Sequence, residues 1–170
     1  MIISFKVDNF MSFRDEAHFS LAASREKQHG RRVPKVSKYQ MRILPIAVIY
    51  GGNASGKTNF FKALNFVKRL VIEGTQPDSL IPIETFRLDT GSSNRPSGFE
   101  IVLLISDTIY EYGFIVTRKE VLEEWLVQVS STGEKTLYHR RDGQPHFAGS
   151  LSKDKFLEFA FEEHGTINCF

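Results

Sequence analysis

Apolar and polar positions follow several distinct rhythms along this chain, and each rhythm predicts an element. Residues 2–7 alternate, with Ile3, Phe5 and Val7 on one side, as a half-buried strand does. Asp8-Asn9 punctuates, and Phe10–Leu21 reads as a second strand or a loose hairpin. The stretch 24–42, holding Gly30 and Pro34, reads as a loop. Ile43–Tyr50 is nearly continuously apolar, the pattern of a strand covered on both faces, although Pro45 keeps its first residues out of a central ladder. After Gly56 the period becomes helical: Phe60, Leu64, Val67 and Val71 share one face, and Gly74 is placed to cap a helix over 57–72.

The remainder predicts antiparallel hairpins after a turn-rich stretch, Thr75–Ile83. Gly98–Ile105 and Ile109–Arg118 flank Ser106-Asp107-Thr108, and Glu124–Ser130 and Lys135–Arg140 flank Ser131–Glu134. Arg141–Gln144 adds a further turn, and Ser152 could cap a short amphipathic helix through Glu163, with Phe156, Phe159 and Ala160 inward. The expected fold class is mixed α/β: one strand–loop–helix unit joined to an antiparallel meander, in a single domain over residues 1–170.

Composition narrows the setting. One cysteine, Cys169, excludes an internal disulfide framework and a cysteine-based zinc site. No apolar run approaches the 18 or so residues of a membrane span, and the start lacks a charged-then-apolar leader. A cytoplasmic protein with no membrane partner is expected. A net charge of +2 hides an uneven distribution. Between Ser24 and Arg42 lie Arg25, Lys27, Arg31, Arg32, Lys35, Lys38 and Arg42 against Glu26 alone. That segment reads either as a solvated basic loop, mobile for want of apolar anchors, or as a contact for nucleic acid or an acidic partner.

One motif carries chemistry. Gly51-Gly52-Asn53-Ala54-Ser55-Gly56-Lys57-Thr58 has the form G-x-x-x-x-G-K-T, between an apolar run and an amphipathic helix. Its glycines let successive backbone N–H groups point at phosphate oxygens, and the helix start adds its positive dipole end. Lys57 is expected on the terminal phosphates and Thr58 on Mg²⁺. A chance match in a chain this long is on the order of one in a hundred by ordinary residue frequencies. No N-K-x-D segment reads guanine, so ATP is the expected nucleotide. Phe10, Phe13 and Tyr39 are aromatic candidates for base stacking, with the core as their alternative place.

Asn9-Phe10-Met11-Ser12-Phe13 after a first strand, followed by Gly51–Asn59, resembles the N-terminal lobe of ABC-type ATPase heads of the SMC, RecF and OLD-like group. The Asn53–Asn59 form is most similar to ATPase subunits of bacterial anti-phage and abortive-infection operons, retron-linked ones included. The similarity runs on through Phe86-Arg87-Leu88, Tyr110–Phe114 and Glu123-Glu124. It implies a P-loop ATPase fold and ATP with Mg²⁺ held by Gly51–Asn59. It also implies head-to-head homodimers or higher oligomers, and control of an effector, nuclease or nucleic-acid complex. The family places polar residues of an Asn-Phe-Arg-Ser-Phe segment near the nucleotide. This chain has Met11 at the arginine position, so Ser12 and Arg14 inherit that expectation.

The same resemblance implies an acidic Walker B strand end and a Ser-Gly signature, and neither is visible here. Ile101–Asp107 mimics the former, but Ser106 interrupts it and no glutamate follows, so it reads as a hairpin turn. Gln76 and Gln128 have no motif around them. His18, His29, His139, His146 and His164 form no metal-ligand spacing, Glu123 and Glu124 read as a surface pair, and Cys169 reads as inert. No catalytic residue is assigned. The expected function is ATP binding, with hydrolysis weak or absent in this chain alone. A non-hydrolytic ATP-dependent interaction module is the alternative. A small nucleotide kinase fits less well, since no arginine-rich lid follows the helix.

Overall fold

An N-terminal strand and a distant hairpin build the centre of this molecule together. In the computed structural model, which describes residues 1–24, 30–75, 79–149 and 151–153, β1 (Ile2–Asp8) lies between two antiparallel neighbours. One is β2 (Ala17–Ser20), with Phe5 opposite Phe19; the other is β5 (Ser97–Ile105), with Phe5 opposite Ile101. The sheet continues by local hairpins through β6 (Thr108–Val116), β7 (Val121–Ser130), β8 (Gly133–Arg141) and β9 (Gln144–Phe147). Its order is β2-β1-β5-β6-β7-β8-β9, every pair antiparallel.

Turn chemistry sets the registers. Ser106 and Asp107 take φ of 46° and 60°, and Asp142 and Gly143 take 51° and 76°. Two successive left-handed residues make the turn whose twist matches the flanking strands. The expected hairpins therefore form, with ends within three residues of those expected.

The helix α1 (Lys57–Glu73) packs on one face of the sheet. Its Phe60, Ala63, Leu64, Phe66, Val67 and Val71 meet Phe5, Val7, Phe99 and Phe114. Phe66, Phe99 and Phe114 have ring centroids 5.1–6.3 Å apart, a favourable aromatic spacing. Gly74 closes the helix at φ 69°, its N–H donating to the Leu70 carbonyl at 3.0 Å.

The opposite face carries a second, smaller core. A bulge between Ile2 and Ser4 lets Ile3 join Ile43 and Ile109 there, beside Val102, Leu104 and Val129. The cover is a small hairpin of β3 (Lys35–Val36) and β4 (Met41–Arg42), flanked by 3₁₀ turns at Gly30–Arg32 and Ser37–Tyr39. Residues 30–42 are thus not the unanchored loop expected from their charge. Val36, Tyr39 and Met41 supply apolar anchors, and their wide spacing hid them among the cations. Residues 25–29 lie outside the described residues.

The apolar run before the phosphate loop is the clearest departure. Ile43 is fully buried, but residues 44–50 form no strand, and Ile46, Val48 and Tyr50 are 76%, 78% and 91% exposed. A strand exists only where another chain accepts its N–H and C=O groups, and among the described residues none lies alongside. Between Phe10 and Leu21 only Ala17–Ser20 is extended; Phe10 and Phe13 instead exchange backbone hydrogen bonds in a tight turn. The expected helix from Ser152 is described only as a 3₁₀ turn over Leu151–Lys153; the rest of it, like Gln76, His29, His164 and Cys169, lies outside the described residues. No helix among the described residues is long and apolar enough to cross a membrane.

Candidate functional site

The loop from Gly51 to Gly56 runs directly into the first turn of α1. Ala54 and Gly56 take φ of 62° and 87°, which curls the chain around a small hollow. A Cβ on Gly51 would lie 2.9 Å from the Ser55 hydroxyl, so a larger residue there would push that side chain aside. The Lys57 ammonium folds back into the hollow. It donates to the carbonyls of Gly51 at 2.9 Å and Gly52 at 2.7 Å, and to the Ser55 hydroxyl at 3.3 Å. Among the described residues, no protein acceptor takes the N–H groups of residues 52–56. Several free donors, a lysine and a helix N-terminus thus lie together in one loop, an arrangement whose electrostatics favour an anion.

Thr58 is exposed on the first helical turn, and Asn59 follows it half-buried. Among the described residues no group of three or more His, Cys, Asp or Glu could hold a metal ion. A groove of about 610 Å³ opens from Thr58 and Met11 along α1, past Phe61, Lys62 and Asn65, towards Leu80 and Pro82.

Ser12 is brought to this loop from a distant part of the sequence. Its hydroxyl oxygen lies 2.8 Å from where a Cβ on Gly56 would be. Asn9 places it there, a role that sequence reading missed. Asn9 is fully buried at φ 50°, and its amide donates to the carbonyls of Ser92 (2.9 Å), Arg95 (2.6 Å) and Pro96 (3.2 Å). Its side-chain oxygen accepts the Phe86 N–H at 3.3 Å, and its carbonyl accepts the Ser97 hydroxyl at 2.6 Å. Met11, also left-handed, donates its N–H to the Glu84 carbonyl at 2.8 Å. An Asx residue closing a strand was the available signal, since Asn tolerates that conformation.

Other candidates go elsewhere. Arg14 pairs with Asp89 at 3.5 Å. The Gly91 N–H and the Ser92 hydroxyl hold the Asp89 carboxyl below its ordinary range, with Arg14 and Arg95 adding to the effect. Phe10 is buried, Phe13 is half-buried against the same core, and the half-buried Tyr39 has its hydroxyl bonded to the sheet. Asp107 sits exposed in the β5–β6 turn.

Glu123 and Glu124 are not a surface pair. They alternate on β7, so they face opposite sides of the sheet. Glu123 accepts from His139 at 2.9 Å. Glu124 is 4% exposed and binds Arg140 at 2.9 Å, Tyr112 at 2.6 Å and Tyr138 at 3.2 Å. Glu111, on the Glu123 side, has its carboxyl pushed up by burial and by the nearby Glu100 charge.

Comparison with known families matches residues 46–155 to a model described as "AAA domain, putative AbiEii toxin, Type IV TA system". That span holds the phosphate loop, α1 and the meander through β9. No curated protein matches the chain.

Proposed function

Because the chain belongs to this AAA-domain family, we propose that residues 51–59 bind the triphosphate of ATP with Mg²⁺. The observation that carries this reading is the Lys57 ammonium held on the carbonyls of Gly51 and Gly52 inside a loop of unengaged N–H groups. An arriving phosphate offers that ammonium a full negative charge in place of two carbonyl dipoles, which adds an ion pair to the charge-assisted hydrogen bond. Gly51, Gly52, Asn53, Ala54, Ser55 and Gly56 supply the N–H cradle. Lys57 takes the terminal phosphates and Thr58 the Mg²⁺, with Asn59 and Ser12 alongside. Mg²⁺ when bound neutralises part of the phosphate charge. Arg14 joins only by leaving Asp89. The groove opening from Thr58 has room for ribose and base.

In this reading residues 1–170 are the N-terminal lobe of an ABC-type head in a cytoplasmic, multi-subunit defence ATPase. Heads pair through bound ATP and act on an effector protein or a nucleic-acid complex. The exposed run Ile46–Tyr50 is then the edge on which further strands pack. The module that binds ATP without splitting it is the second reading, favoured by Asp107 lying in an exposed turn on the far hairpin.

The test is calorimetry of ATP·Mg binding to the chain and to Lys57→Ala. Loss of one charge-assisted contact, about 1.5–3 kcal/mol, predicts roughly 10–100-fold weaker binding. Equal affinity for the two proteins overturns the assignment.

A further inference from the structure

The small hairpin on the face opposite α1 is a rigid cationic surface with no assigned purpose. Arg31, Arg32, Lys35, Lys38 and Arg42 are all exposed within it. No carboxylate among the described residues lies within ion-pair distance of any of the five. Lys35 and Arg42 stand directly opposite each other in the β3–β4 ladder. Like charges at such a position destabilise a strand pair, so stability alone does not account for them.

The platform is fixed in place. The Tyr39 hydroxyl donates to the Val129 carbonyl at 2.9 Å and accepts the Ile109 N–H at 3.1 Å. Ile43 is fully buried beneath it. Arg42 locks the preceding turn by donating to the carbonyls of Gly30 (2.7 Å) and Val33 (2.6 Å), and Lys38 donates to the Asp107 carbonyl at 3.3 Å. The anchoring Val36, Tyr39, Met41 and Ile43 are turned to the sheet, which leaves an outer surface of charge without an apolar centre.

We propose that the 30–43 hairpin binds the phosphate backbone of double-stranded nucleic acid, through Arg31, Arg32 and Lys35 with Lys38 at its border. A protein partner would need an apolar core to its interface, and a membrane surface would need an apolar face to insert. A phosphate backbone asks only for fixed cations, and binding releases the counterions condensed on it. The surface contributes position rather than base recognition, so affinity is independent of sequence.

Fluorescence anisotropy of a labelled 20-base-pair duplex, between 50 and 200 mM salt, tests this. Wild-type affinity falls with salt at a log–log slope near −3, about 0.9 per phosphate contact. The triple variant Arg31→Gln, Arg32→Gln, Lys35→Gln binds at least about tenfold more weakly and loses most of that slope. Arg31→Lys with Arg32→Lys keeps the charge and stays within about twofold of wild type. Lys57→Ala, which tests the nucleotide site, leaves duplex binding unchanged. Three results overturn the proposal: a triple variant that binds as wild type does while melting normally, a salt-independent wild type, or tighter binding to poly-glutamate or anionic vesicles than to the duplex.

Discussion

Ser12 and Gly56 are 44 positions apart in sequence, yet the Ser12 hydroxyl oxygen lies 2.8 Å from where a Gly56 Cβ would project. The glycine is required twice over: its φ is 87°, and the space its missing side chain leaves is filled by another segment. The N-terminal turn and the phosphate loop are therefore one structural unit.

Gly56→Ala should cost about 1–2 kcal/mol from the left-handed backbone alone. Displacing Ser12 and the loop should reduce ATP·Mg affinity by at least about tenfold. Combining it with Ser12→Gly should recover part of the affinity but none of the backbone cost. Calorimetry and urea denaturation of the single and double variants separate the two effects.

Asn9→Ala should destabilise by about 3 kcal/mol, since it leaves a buried carbonyl at Ser92 and partly buried ones at Arg95 and Pro96 without their donor. The same change should weaken ATP binding, because it loosens the turn presenting Ser12. Unchanged affinity in a folded Asn9→Ala protein would detach the turn from the site.

Glu124→Gln should lower unfolding free energy by about 3–5 kcal/mol, the cost of breaking a buried ion pair from one side. It should leave nucleotide affinity within twofold, since Glu124 contacts Arg140, Tyr112 and Tyr138 rather than the loop. Urea denaturation alongside ATP titration checks both halves.

Phosphate release under saturating ATP·Mg should stay well below 1 s⁻¹, a rate at the low end of ordinary enzymes. Interactions that grip ground state and transition state equally raise affinity without raising turnover. Phosphoryl transfer also needs a positioned water and a carboxylate-held metal. Asp107→Asn should change neither binding nor release. Lys57-dependent turnover at 1 s⁻¹ or above, lost in Asp107→Asn, would mean that this turn carboxylate works in catalysis.

The elements legible in the sequence are those whose cause is local. The helix from Lys57 to Glu73 follows from one apolar stripe and a terminal glycine, and the hairpins follow from their turn residues. The phosphate loop is likewise written in consecutive residues, because its chemistry is mostly that of its own backbone. Tertiary structure alone decided the rest. Ile43–Tyr50 has a strand's composition, but composition cannot supply the neighbour whose hydrogen bonds make a strand. Glu124 differs from Glu123 only by the alternation of β7, and that alternation acquires an inside when Arg140, Tyr112 and Tyr138 arrive from neighbouring strands. Ser12 reaches the loop because β1 pairs with β5, some 90 residues away, and Asn9 ties its turn to that strand's approach. Local periodicity records what a segment prefers; burial and partnership are set by segments far away in sequence.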